Sequence, residues 1–312
     1  MKYLKKAFKY ARIILLIIVF ILIADYLRLN ILYTLSKDKY IETDIPVQGN
    51  KGKYTPQGLT YSDKYKVVLQ TSYNSKHTVS MLYVSDFKSG KLLKKLKLKE
   101  LDDSDNIHHV GGITTNNTKV WITNDYEINE YSLEEILKTN NDYVKSNKNI
   151  KLPNRGDFCT YNNNILWIGD FFLKPFYPIK DDNPLLMGYI LKEEIDYNSP
   201  DYIISLPKMV QGLAITEDNK FIVTQSFTNL INSNLSIYSN PLTNKQEIYK
   251  LNGQDIPYYH FNKDNLIENV KIAPMAEELF YKDKQLYILF ENSSDTYFYA
   301  LPKINKIIKY KI

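Results

Sequence analysis

Short apolar runs separated by polar turns fill the chain beyond residue 54, and they recur in a fixed order. Pro56-Gln57-Gly58-Leu59-Thr60-Tyr61 is followed by a polar turn and then by Val67-Val68-Leu69-Gln70-Thr71-Ser72-Tyr73. Val210-Gln211-Gly212-Leu213-Ala214-Ile215 leads in the same way into Phe221-Ile222-Val223-Thr224-Gln225. Weaker copies open at Val110-Gly111-Gly112-Ile113, Gly156-Asp157-Phe158-Cys159 and Ala276-Glu277-Glu278-Leu279. Two further runs follow each pair: residues 80–85 and 92–98, 128–133 and 148–152, 186–191 and 202–206, 235–238 and 247–251, and 297–301 and 307–312. A unit of four short strands buries its faces only against neighbouring units, so the pattern predicts an all-β fold, a β-propeller of five four-stranded blades over residues 54–312. A sixth blade, built partly from residues 39–53, is the alternative. Two aromatic insertions, residues 172–184 and 252–270, interrupt the spacing and read as loops that form lids or partner surfaces.

The first 33 residues follow a different pattern. Residues 13–24 are uncharged and apolar, and Lys2, Lys5, Lys6, Lys9 and Arg12 precede them. Read from about residue 8 through Leu29, the segment is long enough for a transmembrane signal anchor, with Arg28 snorkelling at its far end. A cleaved signal peptide is the competing reading, but Ala24 is the only small residue near a cleavage position and no lipobox cysteine follows. The cationic start predicts a cytoplasmic N-terminus and a propeller outside the cell membrane. Residues 34–53 are polar, carry Pro46, Gly49 and Gly52 as breakers, and read as a linker with room for one strand at 40–45.

Charge and cysteine content narrow the function. The formal charge is +5, and the five cations of the first 12 residues account for all of it. The remainder is neutral and carries no basic stripe, which argues against a nucleic-acid partner. The lone Cys159 excludes an internal disulfide and a CxxC metal site, and fits a buried strand position. Low cysteine use in an exported chain is expected of a bacterial protein.

The Pro-Gln-Gly-Leu and Val-Gln-Gly-Leu openings resemble the Pro-Glu-Gly-type openings of the propellers related to strictosidine synthase, gluconolactonase (senescence marker protein 30) and NHL-repeat proteins. That resemblance implies a six-bladed ring over residues 54–312. It also implies a divalent metal held in part by a glutamate of the opening motif, where this chain carries Gln57 and Gln211.

In a propeller the ends of the inner strands surround the axis. The repeat places Gln57, Gly111, Gly156, Gln211 and Glu277 in one column, and Gly58, Gly112, Asp157, Gly212 and Glu278 in the next. Asp157, Glu277 and Glu278 are the catalytic candidates, and strand alternation aims only one of the two glutamates at the axis. Gln57, His109, Asp170, Gln211, Gln225 and Glu291 are the candidate ligand-binding residues. Such a ring could hold Ca²⁺ through oxygen ligands, cleave a glycoside with two opposed carboxylates, or bind a small molecule, glycan or protein without reaction. The acids could equally pair with Arg155 or with strand-end N–H groups. No nucleophile elbow, zinc-protease, P-loop or dinucleotide motif occurs. The expected function is therefore a membrane-anchored ligand- or protein-binding module at the cell surface. A metal-dependent hydrolase of lactonase or glycosidase type is the second expectation.

Overall fold

The computed structural model describes residues 2–35, 40–179 and 182–312. Runs rich in β-branched and aromatic residues form the strands, and polar turns reverse them. Asn163 and Asn164 both sit at positive φ (48° and 62°), as two-residue hairpin turns require. The strands assemble into five blades around one axis. Blade one contains Tyr54–Ser62, Val67–Asn74, Met81–Asp86 and Leu92–Lys99, with Tyr143–Lys145 added in parallel at its edge. Blade two contains Ile113–Thr115, Lys119–Asn124, Glu127–Ser132 and Lys148–Lys151. Blade three is built from Phe158–Asn162, Ile165–Gly169, Leu185–Ile190 and Tyr202–Ser205.

The five-blade expectation holds, but blades four and five are built differently from the sequence reading. The fourth strand of blade four is Leu266–Ile272, which pairs with Ser233–Tyr238. Residues 247–251 instead form a hairpin with Gln254–His260 that extends the outer edge of blade three. The 252–270 insertion is thus largely strand and not a lid. Periodicity could not separate two edge strands of similar composition. In blade five, residues 297–301 are turn and 3₁₀ structure, and the third strand is Lys306–Lys311. Its fourth strand is Tyr40–Pro46, which pairs antiparallel with Lys306–Lys311 from Tyr40↔Tyr310 to Pro46↔Lys306. Those residues complete blade five and build no sixth blade. Residues 36–39 of the expected linker lie outside the described residues.

Five apolar clusters occupy the five blade interfaces. Between blades one and two, Leu69 and Leu82 meet Val120 and Tyr131. Between two and three, Trp121 packs with Cys159 and Leu166, which confirms the buried strand position of the cysteine. Phe158 and Trp167 meet Leu213 and Val223, then Ile222 meets Leu279, and Tyr287 and Leu289 meet Leu59 and Val68 to close the circle. Fully burying each such side chain contributes roughly 1.5–3 kcal/mol. Close approach near the axis also fixes glycine at 112: an added Cβ would stand 2.4 Å from the Cys159 nitrogen.

The N-terminal helix, Lys2–Leu35, holds a 24-residue stretch from Lys5 to Arg28 whose most apolar 18-residue window has a mean hydropathy of 2.4, with none of that window buried. At 1.5 Å per residue that stretch spans about 36 Å, enough to cross a bilayer core.

Candidate functional site

Each inner strand starts, and each second strand ends, at the same face of the ring. The loops between second and third strands gather there around a cup of about 550 Å³. Gln57, Gly111, Asp157, Gln211 and Glu277 all line it, one from each blade. This ring differs by one residue from the expected column in blade three. There Phe158 pairs opposite Gly169, and an added Cβ on Gly111 would meet the Asp157 carbonyl at 2.2 Å. Asp157, not Gly156, therefore shares the column with Gln57, Gln211 and Glu277.

The strand register breaks in that column in three blades, between Pro56 and Leu59, Val210 and Gly212, and Ala276 and Leu279. A bulge inserts an unpaired residue and re-aims its side chain, which brings Gln57, Gln211 and Glu277 into the cup. Both glutamates are buried (Glu277 3% exposed, Glu278 1%), and of the two only Glu277 lines the cup, in keeping with strand alternation. Threonines of the second strands hold the inner-strand entries. Thr71 Oγ1 accepts the Gly58 N–H and donates to the Val110 carbonyl of the next blade, both at 2.9 Å. Thr123 Oγ1 accepts the Gly112 N–H (2.9 Å), and Thr224 Oγ1 donates to the Glu277 carbonyl (2.6 Å).

At one side of the cup Glu277 and Glu291 lie together. Burial raises Glu291 to about 7 and Glu277 well above the usual carboxylate range; the Glu291 charge raises Glu277 further, whereas hydrogen bonds from Tyr297, Gln57 and Glu277 pull Glu291 back down. The pair therefore keeps a shared proton near neutral pH. Gln57 Nε2 donates to Glu291 (3.2 Å) and to the Pro56 carbonyl (2.9 Å), joining blades five and one. Tyr73 and Tyr297 stand against the same acids.

Elsewhere in the cup Arg155 Nε pairs with Asp157 at 3.0 Å, and Asp157 accepts the Phe171 N–H at 2.7 Å. Burial nevertheless pushes the Asp157 carboxyl up to about 7, against the opposing pull of Arg155. His109 lies against Tyr73, with ring centroids 4.6 Å apart. The enclosing wall, reinforced by Arg155 and opposed by Asp125, lowers its imidazole, although the ring still meets solvent.

Three expected residues stand outside the cup lining. Asp170 accepts backbone N–H bonds from Arg155 (2.9 Å), Gly156 (3.2 Å) and Leu185 (3.2 Å), so it braces the blade-three entry. Gln225 donates to the Lys208 carbonyl and accepts from Ser236, which makes it a bracket within blade four. Glu278 sits nearer the Ile113 and Leu213 N–H groups, and burial holds its carboxyl well above the usual range. Tyr297, Arg155, Tyr177 and Phe227 also line the cup and were not among the expected site residues. The turn-forming run from Glu291 to Asp295 was a signal that Tyr297 belongs to a loop.

Gln57 and Gln211 offer a metal only neutral amide oxygens, and the neighbouring acids already share a proton. That is a poor donor set for a hard dication. Among the described residues no three His, Cys, Asp or Glu side chains converge as a metal-binding group.

No protein-family model and no curated protein matches the chain. Solved structures similar to it include the glutaminyl cyclase of Myxococcus xanthus, at 8% identity and a TM-score of 0.47, covering 81% of this chain and 91% of that one. The PQQ-bound aldose sugar dehydrogenase of Streptomyces coelicolor aligns at 13% identity and 0.48, over 87% and 97%. A chain of a nidogen/laminin complex aligns at 13% identity and 0.42, over 80% and 84%.

Proposed function

We propose that this protein is a membrane-anchored propeller, exposed outside the cell, that binds a small hydroxyl-rich ligand in its axial cup. The observation that carries the reading is the ring of one residue from each of five blades, four of them with polar side chains, together with a proton-sharing acid pair and aromatic walls. Acids held partly protonated both donate and accept hydrogen bonds, which suits sugar hydroxyls, and Tyr73, Phe171 and Tyr297 supply flat apolar contact. The anchor reading is supported by the apolar helix, and the outward orientation by the cations ahead of it. The proposed kinship with the strictosidine synthase and gluconolactonase group extends to propeller architecture. Calorimetric titration with mono- and disaccharides tests the ligand. Binding lost in Glu277→Gln and Asp157→Asn without unfolding supports the reading, whereas no heat from any saccharide counts against it.

The Glu277–Glu291 pair also favours a second reading, a glycosidase-like hydrolase in which one acid donates a proton and another carboxylate acts as base. Release of chromophore from nitrophenyl glycosides, abolished by Glu291→Gln, would select it. The metal-dependent form would in addition require activity that a chelator removes.

A further inference from the structure

The helix and the most exposed apolar side chains of the ring meet at the cup face. Of the exposed Phe and Tyr side chains outside the helix among the described residues, only Tyr65 stands elsewhere; Tyr126, Phe176, Tyr177, Phe298 and Tyr299 all belong to cup-face loops. Beside them Leu230 and Ile231 form the tip of the blade-four loop, at 49% and 63% exposure, and Phe298 reaches 82%. Single exposed apolar residues are ordinary, but aromatic side chains gathered on one face mark an interaction surface.

The helix identifies the occupant. Arg28, at the end of its apolar stretch, pairs with Asp25 at 2.7 Å and donates to the Leu230 carbonyl (3.2 Å) and to Asn232 Oδ1 (3.4 Å). One helical turn earlier, Leu22 and Tyr26 line an apolar cleft of about 540 Å³ together with Leu230, Tyr299 and Leu301. Residues 5–18 are exposed on all sides. The level at which the helix changes from apolar to charged is thus the level of the exposed loop tips. A bilayer enclosing the helix would begin there, and Tyr and Phe are side chains suited to its interfacial layer.

We infer that the cup face rests on the outer surface of the bilayer, with the tips at Ile231 and Phe298 immersed in the lipid interface. The inference rests on the anchor reading and is independent of which ligand the cup holds. Cys159 is buried, so single cysteines can be labelled selectively in the full chain. Ile231→Cys and Phe298→Cys report the cup face; Leu93→Cys and Ile267→Cys, at 49% and 54% exposed positions on the opposite face, are controls. Each variant carries an environment-sensitive fluorophore and is reconstituted in phosphatidylcholine–phosphatidylglycerol vesicles containing nitroxide-labelled lipid. The docked arrangement gives at least several-fold stronger quenching at 231 and 298 than at 93 and 267. Equal quenching at the four positions, in protein that resists alkaline carbonate extraction, overturns it while leaving the anchor intact. Release of the protein by carbonate overturns the anchor reading, and the docking with it.

Discussion

Replacing Glu277 by glutamine should make the protein more stable at pH 8 and flatten its dependence on pH. Glu291 has an ordinary value of 4.5 and is raised to about 7 in the folded protein. A group raised on folding binds its proton more tightly in the native state. Its contribution is therefore fully present below pH 4.5 and is lost as pH rises through about 7. At about 1.4 kcal/mol per pH unit, that displacement corresponds to roughly 3 kcal/mol lost across this window. Glu277 is displaced in the same direction and adds to the loss. Asp157 and Asp170 are also raised, whereas His109 is lowered and acts oppositely, so the wild-type curve alone does not isolate the pair. The difference between wild type and Glu277→Gln does. It removes the acid that burial and the neighbouring Glu291 keep protonated in the folded protein. Urea unfolding of detergent-solubilised protein at pH 5, 6, 7 and 8 should show the variant gaining about 2 kcal/mol relative to wild type between the extremes. A difference that stays constant with pH would refute the shared proton, and one that grows in favour of wild type would reverse its sign.

Three further outcomes test the scaffold and the cup. Thr71→Val leaves the Gly58 N–H and the Val110 carbonyl buried without this partner and should cost about 3 kcal/mol in denaturant titration. Gly112→Ala drives a Cβ to 2.4 Å from the Cys159 nitrogen and 2.6 Å from Phe158 Cα. It should lose about 3 kcal/mol or more, read as a fall in melting temperature. Arg155→Met removes the cation 3.0 Å from Asp157. The Asp157 carboxyl should then titrate about 1 pH unit or more higher, followed by its carbon-13 shift in selectively labelled protein.

The blade count was legible because the inner two strands of each repeat carry dense apolar runs at a fixed offset, as in Val67–Asn74 and Phe221–Gln225. Outer strands carried less signal. Glu247–Leu251 and Leu266–Ile272 are both half solvated, and their order across two blades depends on tertiary pairing that no local pattern encodes. The cup was half legible. Gln57, Gln211, Glu277, Glu291, His109 and Asp157 stood out as polar positions at strand ends, and the structure brings all six to its lining. The register breaks around Gln57, Gln211 and Glu277 were not legible, and the blade-three column moves by one residue. Nor could spacing show that Asp170 spends its hydrogen bonds on backbone and that Gln225 divides its own between the Lys208 carbonyl and Ser236.

The pairing of Tyr40–Pro46 with Lys306–Lys311 has a consequence for how the molecule is made. As the chain is made, the first strand waits for the last one to arrive. Until then blades one and five present unpaired edges and the apolar surface around Leu59, Val68 and Leu289 to the solvent. Joining segments so distant in sequence is slow, and such open intermediates are prone to association with one another. The interval between synthesis of the first strand and ring closure is therefore the period in which this fold is most exposed to misassembly.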